Sequence, residues 1–265
     1  MKTAISNIAW QHEDEKMLET LHHLGIQGLE IAPTRLISQD PYDSIEKAAV
    51  MSQHIHDRYK LTIPSMQSIW FGRSEQVFKS KDEQESLIAY TEKAIAFAAA
   101  IQCKSLVFGN PKARNYHKGG LNNAEFFFKT IADMAHKKGV VIALEANPTL
   151  YGTHFMTTTS DAISFVKMMA HPGLKLNLDI GTMIANHESA SLLKGNIALI
   201  QHVHISEPYL ELINPRDLHK QVLDQLADEN YSNYVAIEMK TPSKNEDVIE
   251  TLMYLQKLIK PYTQT

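Results

Sequence analysis

Glu145, Asp179, His204 and Glu238 have the side-chain types that bind a divalent cation, and each stands near the C-terminal end of a short apolar run. Residues two apart on a strand share a face. In Val140–Asn147, Ile142 and Leu144 share one face and Val141, Ala143 and Glu145 the other. In Leu174–Ile180, Leu174, Leu176 and Leu178 oppose Lys175, Asn177 and Asp179. In Ile200–Ser206, Val203 and Ile205 oppose His202, His204 and Ser206, and in Tyr234–Lys240, Val235, Ile237 and Met239 oppose Ala236, Glu238 and Lys240. Each run thus has one wholly apolar face and one face that turns ionisable toward its end. A carboxylate on an inward face is costly unless paired or bound to metal, and three together repel one another and raise their own pKa values. One divalent ion resolves the conflict. Three oxygen donors and an imidazole suit Mn²⁺, Mg²⁺, Co²⁺ or Zn²⁺, and the hard donor set favours Mn²⁺ or Mg²⁺. The competing reading of any one residue is a strand-end group bound to Arg, Lys or a backbone amide. Four successive runs with the same pattern favour the cluster.

Eight strand-like runs carry these residues: Thr3–Ala9, Gly28–Pro33, Leu61–Ser68, Ser105–Asn110, Val140–Asn147, Leu174–Ile180, Ile200–Ser206 and Tyr234–Lys240. The segments between them have helical spacing. Phe127, Ile131, Met134 and Ala135 form one stripe, closed by Gly139. Leu218, Val222 and Leu226 form another behind Asn214-Pro215, read as a cap and first-turn proline. Val248, Leu252, Leu255 and Ile259 follow Ser243-Lys244-Asn245-Glu246, which has the form of a capping box. The Phe126-Phe127-Phe128 run reads as barrel-facing core. Eight strand–helix units imply parallel strands joined by right-handed crossovers. The expected fold is α/β, a single (β/α)8 TIM barrel in one domain over residues 1–265, with its site at the C-terminal ends of the strands. An open dinucleotide-binding sheet needs G-x-G-x-x-G after the first strand, whereas Ala9-Trp10-Gln11-His12-Glu13 holds no glycine.

Composition excludes several classes. The chain is 44% hydrophobic and 21% charged, within the ordinary globular range. A formal charge of -4 predicts no nucleic-acid partner and no membrane attachment, and no apolar run reaches the roughly 18 residues of a membrane span. The single Cys103 excludes an internal disulfide and a thiolate zinc cluster. With no signal-peptide pattern in Met1–Trp10, a cytoplasmic location is expected.

Glu145 in Ala-Leu-Glu-Ala-Asn, Asp179 in Leu-Asn-Leu-Asp-Ile-Gly, His204 in His-Val-His-Ile-Ser-Glu and Glu238 in Ala-Ile-Glu-Met resemble the ligand quartet of the xylose isomerase-like TIM barrels. Their separations of 34, 25 and 34 residues are similar to those of epimerase-like members, and the likeness spans nearly the whole chain. The resemblance implies one divalent ion on the quartet and a small-molecule sugar substrate. It also implies proton transfer by Glu145 and Glu238 on opposite sides of the reacting carbon, and a homodimer or homotetramer. Two positions depart from the family pattern. Thr182 stands where sugar-binding members commonly have a histidine, and Leu210 where epimerase-like members tend to have an arginine.

Further positions are candidates for the substrate site. Glu30 shares the inward parity and is read as a hydroxyl acceptor, with a salt bridge as the alternative. Lys240, two beyond Glu238, is read as an anion partner or a neutraliser of that glutamate. Gln67, Trp70, Asn110, Asn147 and His154 follow strand ends, while Asn177 and His202, one layer deeper, are expected to hydrogen-bond the ligands. Arg35, Arg73 and Arg114 in the loops hint at an anionic substrate. The expected activity is metal-dependent isomerisation or epimerisation of a keto sugar or sugar derivative. A dehydratase built on the same enediolate is the first alternative, and a non-catalytic sugar-binding module the second. An endonuclease role is disfavoured by the charge and the single quartet.

Overall fold

The eight apolar runs become eight parallel strands in a computed structural model that describes residues 1–12, 14–115 and 121–262. Glu13, at the end of the glycine-free first turn, lies outside the described residues. The strands are β1 Lys2–Ser6, β2 Gly28–Glu30, β3 Ser65–Met66, β4 Ser105–Phe108, β5 Val141–Glu145, β6 Leu174–Asp179, β7 Ile200–Ile205 and β8 Tyr234–Ile237. Their order is β2-β1-β8-β7-β6-β5-β4-β3. The two ends of that sheet meet through bridges from Gly28 to Thr62 and from Ile31 to Met66, which close the barrel. The Leu29 and Gln67 amides donate across this seam to Thr62 and Ile31 carbonyls at 2.8 and 2.9 Å.

Every strand is shorter than its apolar run, and in three the cause is local. Pro64 has no amide to donate and restricts Ile63, so Leu61–Ser68 contributes only Ser65–Met66. Pro33 starts a helix and ends the second run at Glu30. The last run stops at Ile237, and Lys240 turns away to donate its amide to the Leu210 carbonyl at 2.8 Å. Glu238 is therefore the first residue beyond its strand, anchored by its amide on the Ile205 carbonyl at 3.0 Å.

The described helices are α1 Asp14–His23, α2 Pro33–Leu36, α3 Ile45–Tyr59, α4 Lys81–Ala100, α5 Leu121–Lys137, α6 Thr159–Met169, α7 Ile180–Ala185, α8 Asp217–Asp228 and α9 Asn245–Ile259. Phe127, Ile131 and Ala135 bury one stripe of α5 against the strands, and Gly139, in the left-handed region at φ +68°, ends that helix. Phe126 is exposed while Phe127 and Phe128 are buried, because successive helical residues rotate by about 100° and three in a row cannot share one face. Edge-to-face contacts link Trp70, Phe108, Phe127, Phe128 and Phe165, tying the end of β4 to α5 and α6. Two expected caps are displaced: α9 begins at Asn245 behind Lys244, and α8 at Asp217 behind Arg216, neither cap residue using its side chain. A capping box forms instead at Thr158 and Asp161 of α6. Among the described residues no helix is long and apolar enough to cross a membrane.

Inside the barrel the packing is polar. Strand β7 neighbours β6 and β8, yet His202 Nε2 lies 3.1 Å from Ser65 Oγ of β3, and His204 Nε2 lies 2.9 Å from Glu30 Oε2 of β2. These bonds span the interior and tie opposite walls of the barrel together.

Candidate metal centre

A register shift between β6 and β7 sets the centre. Leu176 pairs with Ile200 but Asn177 with His202, so β7 carries one extra residue there and Asp179 falls beside His204. Glu145 on β5 pairs with Asn177 on β6. Barrel stagger then brings the quartet together: one ligand atom each from Glu145, Asp179, His204 and Glu238 lies within 4.8 Å of the other three. His204 is wholly buried, and Glu145 and Glu238 each keep 8% of their surface, at the floor of a cavity of ≈ 720 Å³.

Each member is held by its own partners. Glu145 Oε1 accepts from Asn147 Nδ2 at 2.9 Å and Oε2 from Asn177 Nδ2 at 2.6 Å. Asp179 caps α7 by accepting from the Thr182 amide at 2.5 Å, and its other oxygen accepts from Ser206 Oγ. Gly181 donates its amide to Ser206 Oγ at 2.9 Å, and a Cβ at Gly181 would lie 2.7 Å from that oxygen. His204 turns Nδ1 toward Glu238 and Glu145, 3.1 and 3.3 Å from their Oε2 atoms, and Nε2 toward Glu30. This is the carboxylate–histidine pairing that fixes the ring and leaves the other nitrogen for a metal.

Burial, with repulsion from Glu145, pushes the Asp179 carboxyl up to about 6. Burial pushes Glu238 up to about 7 despite the nearby imidazole, with Glu145 and Glu30 adding repulsion. For His204, burial opposes the charged ring, but Glu238 and Glu30 outweigh it and hold the imidazole well above its ordinary value. Glu30 is wholly buried, which alone would raise it; the His204 charge and hydrogen bonds from both imidazoles hold it well below the carboxylate range. A divalent ion fits this donor set. Three converging carboxylates, two of them resisting ionisation, face one imidazole nitrogen that a cation can take from its proton.

Several sequence expectations change. Glu30 lies behind His204, not at the cavity surface, and accepts from Ser65 Oγ at 2.7 Å. It is a partner of the imidazole rather than of the substrate. Lys240 is exposed and paired with Glu211, and His154 is exposed; neither lines the cavity, because the chain has left the strand direction at both positions. Gln67, Asn110, Asn147 and Trp70 do line it. Asn177 and His202 lie beneath the quartet, hydrogen-bonded to Glu145 and Ser65 respectively. Of the three arginines, Arg35 and Arg114 serve the scaffold, while Arg73 also lines the cavity. Arg35 donates to the Trp10 carbonyl at 3.0 Å, and Arg73 pairs with Glu75 above the Tyr90 ring. Arg114 is wholly buried and donates to the Glu145 and Gly109 carbonyls at 2.7 and 3.2 Å, strapping β5 to the turn after β4. Thr182 donates to the Ala146 carbonyl at 2.9 Å and offers the cavity no histidine-like donor. Ser65, Ser206, Tyr151 and Glu207 were not singled out as site residues. Inward parity marks Ser206, two beyond His204, but no sequence signal marks Tyr151 at the cavity wall or Glu207, whose carboxylate is taken bidentately by Arg216 at 2.7 and 2.6 Å.

Gly109 sets the position of Glu145. A Cβ there would come within 2.7 Å of Glu145 Oε1. Because the obstructed atom is a side-chain tip, Gly109→Ala is expected to keep a wild-type melting temperature. Displacing the carboxylate is expected to weaken divalent-ion binding by about tenfold. Paired thermal melts and Mn²⁺ titrations check this.

No curated protein matches the chain. Solved structures do. A D-psicose 3-epimerase from Clostridium cellulolyticum H10, crystallised with D-tagatose, superposes with a TM-score of 0.83 at 15% identity, covering 100% of both chains. The apo 3-keto-D-glucoside 4-epimerase from E. coli gives 0.78 at 19% identity over 98% of this chain and 99% of that one. The IOLI protein with a bound zinc atom gives 0.77 at 16% identity over 100% of each. At these identities the likeness shows the fold alone. The sequence itself matches the profile of xylose isomerase-like TIM barrels over residues 18–258. The chain belongs to the xylose isomerase-like TIM barrel family.

Proposed function

We propose that the protein is a metal-dependent isomerase or epimerase of a keto sugar or sugar derivative, with Glu145 and Glu238 as the acid–base pair. The observation that carries this reading is the convergence of Glu145, Asp179, His204 and Glu238 at the floor of one open cavity. The epimerases among the solved structures of the same fold agree with it. Glu145, Asp179, His204 and Glu238 would hold a divalent ion, Mn²⁺ or Mg²⁺ by the hard donors, which would supply Lewis acidity to the substrate carbonyl.

The chain's own groups supply the proton chemistry. One glutamate removes the proton beside the carbonyl, and the other returns a proton to the resulting enediolate. In the metal-free fold burial pushes Glu238 up to about 7, and a bound cation would draw it back toward the carboxylate. Asn147 and Asn177 fix the two oxygens of Glu145. Asn147 Oδ1, buried and without a partner at the cavity wall, is placed to accept from a substrate hydroxyl. Substrate configuration decides which glutamate acts as base.

Incubating the Mn²⁺-loaded protein with ketohexoses and ring-keto hexosides in D2O tests the reading. Deuterium is expected at a carbon beside the carbonyl, followed by an isomer of unchanged composition. A product lighter by one water would assign a dehydratase instead, and absence of label in any bound keto sugar would leave only a binding role.

A further inference from the structure

The cavity is larger than a single sugar needs, and its chemistry is split by depth. Its ≈ 720 Å³ would hold about 24 waters at roughly 30 Å³ each, about twice the heavy-atom count of a hexose. The acidic and amide groups lie low, where Glu145, Asp179, Glu238 and Asn147 meet. The exposed wall carries two aromatic side chains beside Ser68, Arg73 and Lys112. Phe71 and Tyr209 line the same cavity and are 68% and 61% exposed, among the most exposed large apolar residues described. Tyr209 is also deliberately held: its backbone is left-handed at φ +61°, its amide donates to Tyr151 Oη at 2.8 Å, and its ring meets that of Tyr151 edge-on at 5.6 Å. Leu210, next in the chain, is left-handed too, at φ +54°. Non-glycine residues in that region are strained and persist where the surroundings fix them, often at ligand-binding sites. Tyr209 is thus fixed at the rim of the cavity whose floor is the metal centre, with the exposed Phe71 ring lining the same cavity.

We infer that the substrate is a keto sugar in glycosidic linkage, with its keto ring over the carboxylates and a second ring, sugar or aromatic, against Phe71 and Tyr209. The inference rests on the proposed proton-transfer function and names the substrate class of that same site. A glycosidic bond locks the anomeric carbon as an acetal, so the carbonyl lies on a ring carbon. The step stays balanced without any oxidant. A glutamate takes the proton from the adjacent carbon, the C–H electron pair becomes the enediolate double bond as the carbonyl π pair moves to oxygen, and a carboxyl proton returns to carbon.

The test uses the Mn²⁺-loaded full chain with 3-keto-D-glucosides bearing methyl, phenyl or glucosyl aglycones, beside free ketohexoses. The exchange efficiency kcat/KM is expected to be about tenfold higher for the phenyl or the glucosyl glycoside than for the methyl glycoside or any free ketohexose. Preference for phenyl alone identifies an aromatic aglycone; preference for glucosyl identifies a second sugar. The preference is expected to collapse in Phe71→Ala/Tyr209→Ala and to persist in Met253→Ser, an exposed apolar site on α9. Free ketohexoses exchanging as efficiently as the glycosides overturn the inference, as does a preference that survives the double substitution. If no probe exchanges, fluorescence titration with unreactive phenyl and methyl glucosides decides. Tighter phenyl binding that the double variant loses upholds the second-ring site while the proton-transfer reading fails; equal binding overturns the inference. A dimer that dissociates in the double variant with the preference intact would assign the aromatic rim to a second copy of the chain and overturn it.

Discussion

Glu238→Gln is expected to lower the proton-exchange rate by about 10³- to 10⁴-fold with little change in melting temperature, because acid–base groups contribute roughly 10²–10⁴ and this one is also a metal donor. The amide keeps the shape of the side chain, and its oxygen can still face His204 Nδ1–H, the partner recorded for the carboxylate at 3.1 Å. Glu145→Gln is expected to lose as much activity but also to lose stability. Both oxygens of Glu145 accept from amide groups, Asn147 Nδ2 and Asn177 Nδ2. A glutamine turns one donor toward another and leaves at least one buried group unpaired, at about 1–3 kcal/mol. Exchange kinetics and thermal melts on the two variants separate these outcomes, and comparable stability in both would contradict the assigned hydrogen bonds.

The second large effect is the dependence of cation stabilisation on pH. The folded pKa values of Asp179 and Glu238 are raised, to about 6 and about 7, above their ordinary 3.8 and 4.5. Raised carboxyls make the metal-free fold most stable below their unfolded values and weaken it as pH climbs through 6 and 7. His204, also raised, acts in the same sense, since its charged ring and its pairing with the glutamates are lost as pH rises through its folded value. A divalent ion requires these groups deprotonated, so its benefit grows over the same window. At about a thousandfold excess over Kd the ion adds about 4 kcal/mol, which for a chain of this size is roughly 10 °C in Tm. Melts with Mn²⁺ and with chelator at pH 5.5 and 8 are expected to show a shift several times larger at pH 8. A shift independent of pH would contradict the quartet as the binding site.

Much of the centre was legible because strand alternation is short-range information. Glu145, Asp179, His204 and Glu238 stand out by parity within their own runs, and their depth follows from where each run ends. What parity cannot supply is the partner across the barrel. Glu30 reads as inward and polar, which is correct, yet its role is set by His202 and His204, more than 170 residues away along the chain. Lys240 departs from strand parity for a local reason: β8 stops at Ile237, and the backbone turns so that the Lys240 amide bonds the Leu210 carbonyl. Pro64 is a breaker written in the third run, and it shortens that strand. The left-handed Tyr209 was not legible, because its conformation depends on its amide donating to Tyr151 Oη in a different loop.

Calorimetric titration of the metal-free protein with Mn²⁺ at pH 7.5, read together with the same titration of Asp179→Asn and His204→Ala, tests whether the four side chains form one cation site. One ion per chain is expected, with protons released on binding and affinity falling by at least about tenfold in each variant. Wild-type affinity retained in both variants, or no bound ion in the unsubstituted protein, would contradict it.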